Sequence, residues 1–120
     1  MSDTHHLALQ ARLEELDAYT HAALRQFPRY ERYGLCLEIR NTVTRILRYI
    51  VVAWKRRQKS AALFDLDVEI EVLRAMIRKS HALGHIDVHR LETWMRHVNQ
   101  IGAMVGAWIK SAREAEQSRK

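Results

Sequence analysis

LETWMRHVNQIGAMVGAWIKSA, residues 91–112, decides the fold. Its apolar groups Leu91, Trp94, Val98, Ile101, Val105, Trp108 and Ala112 are separated alternately by three and four positions. That alternation winds one apolar seam along a helix, as in left-handed helical bundles. Asp87 stands where an N-cap would start the helix, and Gly84 is placed to close a preceding helix in the left-handed conformation. The spacing therefore predicts a helix over about residues 87–115, with the polar tail from Arg113 to Lys120 fraying.

The same periodicity continues upstream. A helix over about 61–83 turns Leu63, Leu66, Ile70, Leu73 and Ile77 inward, with Ser60 as a possible N-cap. Another, over about 30–57, carries Leu35, Ile39, Val43, Ile46, Ile50 and Ala53, and begins at Tyr30 or Tyr33 because Gly34 blurs its start. The first covers about 4–26 with Leu9, Leu13, Leu16, Thr20, Ala23 and Phe27, and Pro28 stops it. Short links force neighbours to run antiparallel. The expected fold is all-α, one domain over 1–120, an antiparallel up-down-up-down four-helix bundle.

Composition agrees. A chain of 120 residues has room for one core and not two. One Pro and four Gly are too few turns for an all-β fold, and 48% hydrophobic residues exclude a disordered chain. Cys36 is the single cysteine, which fits a reducing compartment. Met1–His6 has no basic, then apolar, leader pattern. The longest apolar runs, Ile101–Ile109 and Tyr49–Trp54, fall far short of the roughly 20 residues that cross a bilayer. A soluble, cytoplasmic protein without a membrane partner is expected.

Charge is unevenly spread. Residues 29–59 hold nine basic groups, Arg29, Arg32, Arg40, Arg45, Arg48, Lys55, Arg56, Arg57 and Lys59, against Glu31 and Glu38. That stretch is +7 within a chain of net +6. It reads either as a surface for a polyanion or as a solvated helix face. Stepping about 100° per residue, Arg48 and Lys55 point away from the core stripe, and Arg40 and Arg45 flank them. Leu37, Val51 and Val52 share this outward half, which is expected where another subunit packs. In the last helix Gly102, Ala103, Gly106 and Ala107 lie off the seam. Two helical glycines at i and i+4 point to close backbone approach, within the chain or across a subunit boundary.

Catalytic patterns are missing. His81, His85 and His89 recur every four residues, but Gly84 and Asp87 put a turn through them, and no Cys or Glu-x-x-His motif accompanies them. Cys36 sits where a helix dipole lowers a thiol's pKa, yet no base is evident; a core or interface role fits it better. The acids Glu14/Glu15 and Asp65/Asp67/Glu69/Glu71 belong to helix surfaces, where Glu71 can pair with Arg74. No phosphate-cradling Gly loop is present. No metal, cofactor or catalytic residue is expected, although a metal-dependent enzyme using the histidines stands as a rival to be tested. Trp94 and Trp108 fall on the seam and Trp54 at the edge of its stripe, leaving Tyr30 and Tyr33 as the exposed aromatics.

Three stretches carry a family resemblance. FPRYERYGL (27–35), followed by EIR (38–40), resembles the entry to the second helix of four-helix-bundle proteins encoded in 23S ribosomal RNA intervening sequences. LFDLDVEIEVLR (63–74) and IGAMVGAWIK (101–110) resemble the Avd accessory proteins of diversity-generating retroelements. Where the ribosomal branch usually continues with small residues and an Asn-Ile-Ala-Glu-Gly pattern, this chain reads RYIVVAWKRR (48–57), which moves it toward the retroelement branch. The resemblance implies a basic homopentamer of four-helix bundles without catalysis of its own. It implies a reverse transcriptase as partner and binding to template-repeat RNA and cDNA, in support of mutagenic copying. By matching position, Arg40, Arg45 and Arg48, and Arg74 and Arg78, become nucleic-acid-binding candidates beside Lys55, Arg56 and Arg57. The alternative is a stand-alone RNA-binding or structural bundle of the intervening-sequence type. Without a base-reading motif, binding is expected to be weakly sequence-selective.

Overall fold

The computed structural model describes residues 4–118. Met1–Asp3 and Arg119–Lys120, with the parts of the leader and tail readings that fall on them, lie outside the described residues. Four helices, α1 (His5–Leu24), α2 (Leu35–Lys55), α3 (Ser60–Ala82) and α4 (Val88–Ser118), form an antiparallel bundle of 53 × 25 × 21 Å. No strand occurs among the described residues. Each helix packs on its two neighbours around the bundle, while the diagonals α1/α3 and α2/α4 do not adjoin. The seam residues form one core, in which Trp94 and Trp108 are fully buried. Leu91 and Ala112, the ends of the predicted α4 seam, are only partly buried.

The hydroxyls and the Trp94 indole inside the core find partners. The Trp94 indole Nε1–H donates to Thr20 Oγ1 at 3.0 Å, joining α4 to α1. Thr42 and Ser80 return their hydroxyls to the Glu38 and Met76 carbonyls of their own helices, each at 2.8 Å. Such bonds spare the core the cost of a bare polar atom.

Chain ends and turns differ from expectation at four places. The second helix starts at Leu35, five residues past Tyr30 and two past Tyr33, because Gly34 has φ −104° and ψ −110°, outside the helical region. Before it, Arg29–Glu31 make a short 3-10 helix, and the Glu31 carboxylate accepts the Leu35 N–H, filling the cap role from outside. At its other end Arg56 is extended, and the Lys59 ammonium donates to the Ala53, Trp54 and Arg56 carbonyls at 2.6, 3.1 and 2.7 Å. This cation satisfies the open end of the helix and arrests it two residues before the expected Arg57. Ser60 is the first residue of α3 and not its cap; its hydroxyl donates to the Glu116 carboxylate. That bond helps carry α4 helically through residues 113–118, where fraying was expected.

The α3–α4 turn follows its sequence signals. Gly84 has φ +79°, its N–H donates to His81 O, and the His85 N–H donates to Ser80 O, both at 2.9 Å. These two bonds are the Schellman closure. Asp87 Oδ1 then accepts the Arg90 N–H at 2.8 Å and starts α4.

Candidate nucleic-acid interface

The outward face of α2 results directly from its core stripe. With Ile39, Val43, Ile46 and Ile50 buried, Arg48 and Lys55 face solvent. Arg56 and Arg57 follow on the exposed link, and Arg40 is half-buried at the flank toward α1. Arg40, Arg48, Arg56 and Arg57 make no ion pair among the described residues. Unpaired guanidinium groups on a convex face are free to exchange water for phosphate oxygens. Lys55 instead stands over the Trp54 ring, 4.2 Å from its centroid.

Two of the eight basic candidates are engaged within the bundle. Arg45 donates from Nε to Glu69 at 2.6 Å and from Nη2 to Thr42 at 2.9 Å, tying α2 to α3. Arg74 donates to Glu71 at 2.8 Å and to Asn99 at 3.0 Å. Its guanidinium lies across Gly102: a Cβ added there would overlap Arg74 Nη2. Close approach at this glycine is therefore made within the chain. Arg78 is exposed on α3 and unpaired among the described residues.

The apolar candidates divide similarly. Leu37 is exposed, whereas Val51 and Val52 are half-buried, Val52 against the core. Ala103, Gly106 and Ala107 form an exposed strip on α4, and a Cβ on Gly106 would meet nothing within 4 Å. Sequence reasoning did not single out Phe64 and Val68, which stand exposed on α3 beside Asp65, Asp67 and Glu71. Their spacing of four, one face away from the core stripe, was the available signal.

Histidines and the cysteine take structural places. The turn at Gly84 separates His81, His85 and His89, of which only His85 is buried. Its Nε2 lies 2.8 Å from Glu31 Oε2, linking the α1–α2 connection to the α3–α4 turn. This hydrogen bond, with one from the Leu35 N–H, holds the Glu31 carboxyl below the usual carboxylate range despite its partial burial. The ionised oxygen is the acceptor, so Nε2 carries the proton. His6 is buried and stacks on Trp54 with ring centroids 4.3 Å apart, and its Nδ1 has no hydrogen-bond partner. Burial pushes the Cys36 thiol up, against a smaller opposing effect of Arg40, so it is a poor nucleophile in the core. Among the described residues no three His, Cys, Asp or Glu side chains are grouped to hold a metal ion. No described helix is long and apolar enough to cross a membrane.

A protein-family model described as bAvd-like matches residues 7–112, reaching into all four helices. No curated protein matches the chain.

Proposed function

The chain belongs to the bAvd-like family, and from that premise we propose that it is the non-catalytic accessory protein of a diversity-generating retroelement. It binds template-repeat RNA and cDNA through the basic face of α2, with Arg78 of α3 alongside. It associates with the element's reverse transcriptase in the cytoplasm and supports mutagenic copying. The observation that carries the reading is the set of unpaired cations on and just after α2, with Arg48, Arg56 and Arg57 exposed and Arg40 half-buried at their flank. Such a set neutralises phosphates and releases counterions without reading bases.

Self-association completes the device. We propose a homopentamer packed through Leu37, Val51 and Val52 of α2 and the strip of Ala103, Gly106 and Ala107 on α4. Repeating the basic edge around a ring lets several weak contacts act at high effective concentration.

The test is binding of labelled RNA to the purified protein, followed by fluorescence anisotropy at several salt concentrations. With about five phosphates engaged, affinity falls roughly a hundredfold or more between about 50 and 200 mM salt. The double substitution Arg48→Glu, Lys55→Glu weakens binding while leaving the helical circular-dichroism signal and melting curve in place. Unchanged affinity in that variant refutes the assignment to α2.

A further inference from the structure

One end of the bundle presents open aromatic rings among unpaired cations. Tyr30 and Tyr33 are 77% and 80% exposed, the most open of the large apolar or aromatic side chains. Both lie in the α1–α2 connection, the first on the 3-10 helix and the second in the turn after it. Arg29 and Arg32 alternate with them in sequence, are exposed, and make no ion pair among the described residues. The α3–α4 turn lies beside this connection, since His85 bonds Glu31 and meets the edge of Tyr30 at 6.1 Å between centroids. That turn adds exposed Leu83 and Val88.

Two of the acids at this end are occupied, while Glu38 and Glu92 stand exposed one turn into α2 and α4. Glu31 is held by His85, and Asp87 caps α4. Arg29 and Arg32 stay unpaired beside the rings, where they favour an approaching polyanion. The opposite end differs: there Trp54 is less open, at 37%, with His6 stacked on its ring and the Lys55 ammonium over it. The tyrosines are also pre-positioned. The 3-10 helix is closed by the Glu31 N–H to Pro28 O and the Arg32 N–H to Arg29 O, at 3.0 and 3.1 Å, and anchored by the buried His85. Little ordering is left to be done when a ligand arrives.

From this juxtaposition we infer that Tyr30 and Tyr33 form a stacking platform for unpaired bases of a single-stranded nucleic acid, with Arg29 and Arg32 on its flanking phosphates. The inference rests on the nucleic-acid reading above and deepens it. A base in a duplex hides its faces in the stack, whereas a single strand offers them to a tyrosine ring. The α2 edge then supplies strand-independent grip, and this end supplies preference for unpaired segments.

The experiment uses the full chain and three labelled probes of equal length: a single-stranded RNA, an RNA duplex, and an abasic strand with the same backbone. Wild-type protein binds the base-bearing strand more tightly than the abasic one. Tyr30→Ala, Tyr33→Ala loses about tenfold or more on the base-bearing strand and changes little on the abasic strand and the duplex. Tyr30→Phe, Tyr33→Phe keeps wild-type affinity, because the ring and not the hydroxyl stacks. Equal losses on all three probes, or no loss on the single strand, overturn the platform while leaving the α2 reading intact. A wild-type protein that binds none of the probes overturns both. Melting curves of the variants match wild type, since neither ring is part of the core.

Discussion

Thr20 is a polar residue on an otherwise apolar stripe, and its hydroxyl is what the buried Trp94 indole needs. Thr20→Val keeps the shape and removes the acceptor, leaving a donor bare in the core. The expected cost is about 1–3 kcal/mol, read as a lower urea midpoint at fixed protein concentration. The same substitution in a Trp94→Phe background costs measurably less; equal costs in both backgrounds would mean that the bond contributes nothing. Gly102 and Gly106 look alike in sequence and differ in surroundings. An alanine at 102 must displace the Arg74 guanidinium, the end of a flexible side chain, whereas one at 106 enters open space. Gly106→Ala is expected to stabilise the protomer by roughly 0.5–1 kcal/mol through backbone entropy. If Gly106 lies in the proposed subunit contact, this variant also weakens association, seen as a concentration-dependent fall in mass by light scattering.

Between elements, the His85–Glu31 pair holds two connections together at one end of the bundle. The folded chain keeps Glu31 ionised at pH values where the unfolded chain has begun to protonate it. Its contribution is complete above the ordinary glutamate range, about pH 4.3, and disappears as acid pushes through the lower folded value. Wild-type stability therefore drops on acidification through this window. Glu31→Gln removes the part of the drop that belongs to this pair, which urea midpoints measured on both sides of the window detect. The helices themselves were legible in the sequence because three-and-four spacing on each stripe admits one buried face. Their ends were less so. Lys59 stops α2 by reaching back to its last carbonyls, Glu31 starts it by reaching forward to the Leu35 N–H, and Ser60 bonds the far end of α4. No local periodicity records such contacts.

For the whole molecule, a ring of five predicts a solution mass near five times the 14.1 kDa protomer. The exposed Phe64 and Val68 on α3, rimmed by acids, are of opposite character to the basic and apolar edge of α2. A head-to-tail ring requires two different surfaces on each copy, and the proposed contact supplies them as Leu37, Val51 and Val52 of α2 and the small-residue strip of α4. Leu37→Glu is then expected to lower the mass toward that of a protomer, with its helical signal retained; an unchanged assembly removes this face of α2 from the contact. Of the basic candidates, charge counting treats Arg45 and Arg74 like Arg48. Packing separates them: Glu69 and Asn99 reach Arg45 and Arg74 from other helices, while the Arg74–Glu71 pair, three residues apart on α3, was already legible in the spacing.

The residue pattern alone determined four helices, their buried faces, the Gly84 closure and the placement of excess positive charge. These follow from helical period and local capping, which act over a few residues. Only the tertiary structure decided that Arg45 is spent on an ion pair with α3, why Gly102 is bare, and which aromatic rings remain open. Those outcomes depend on which side chains from separate helices meet across the bundle, and linear spacing carries no record of that meeting.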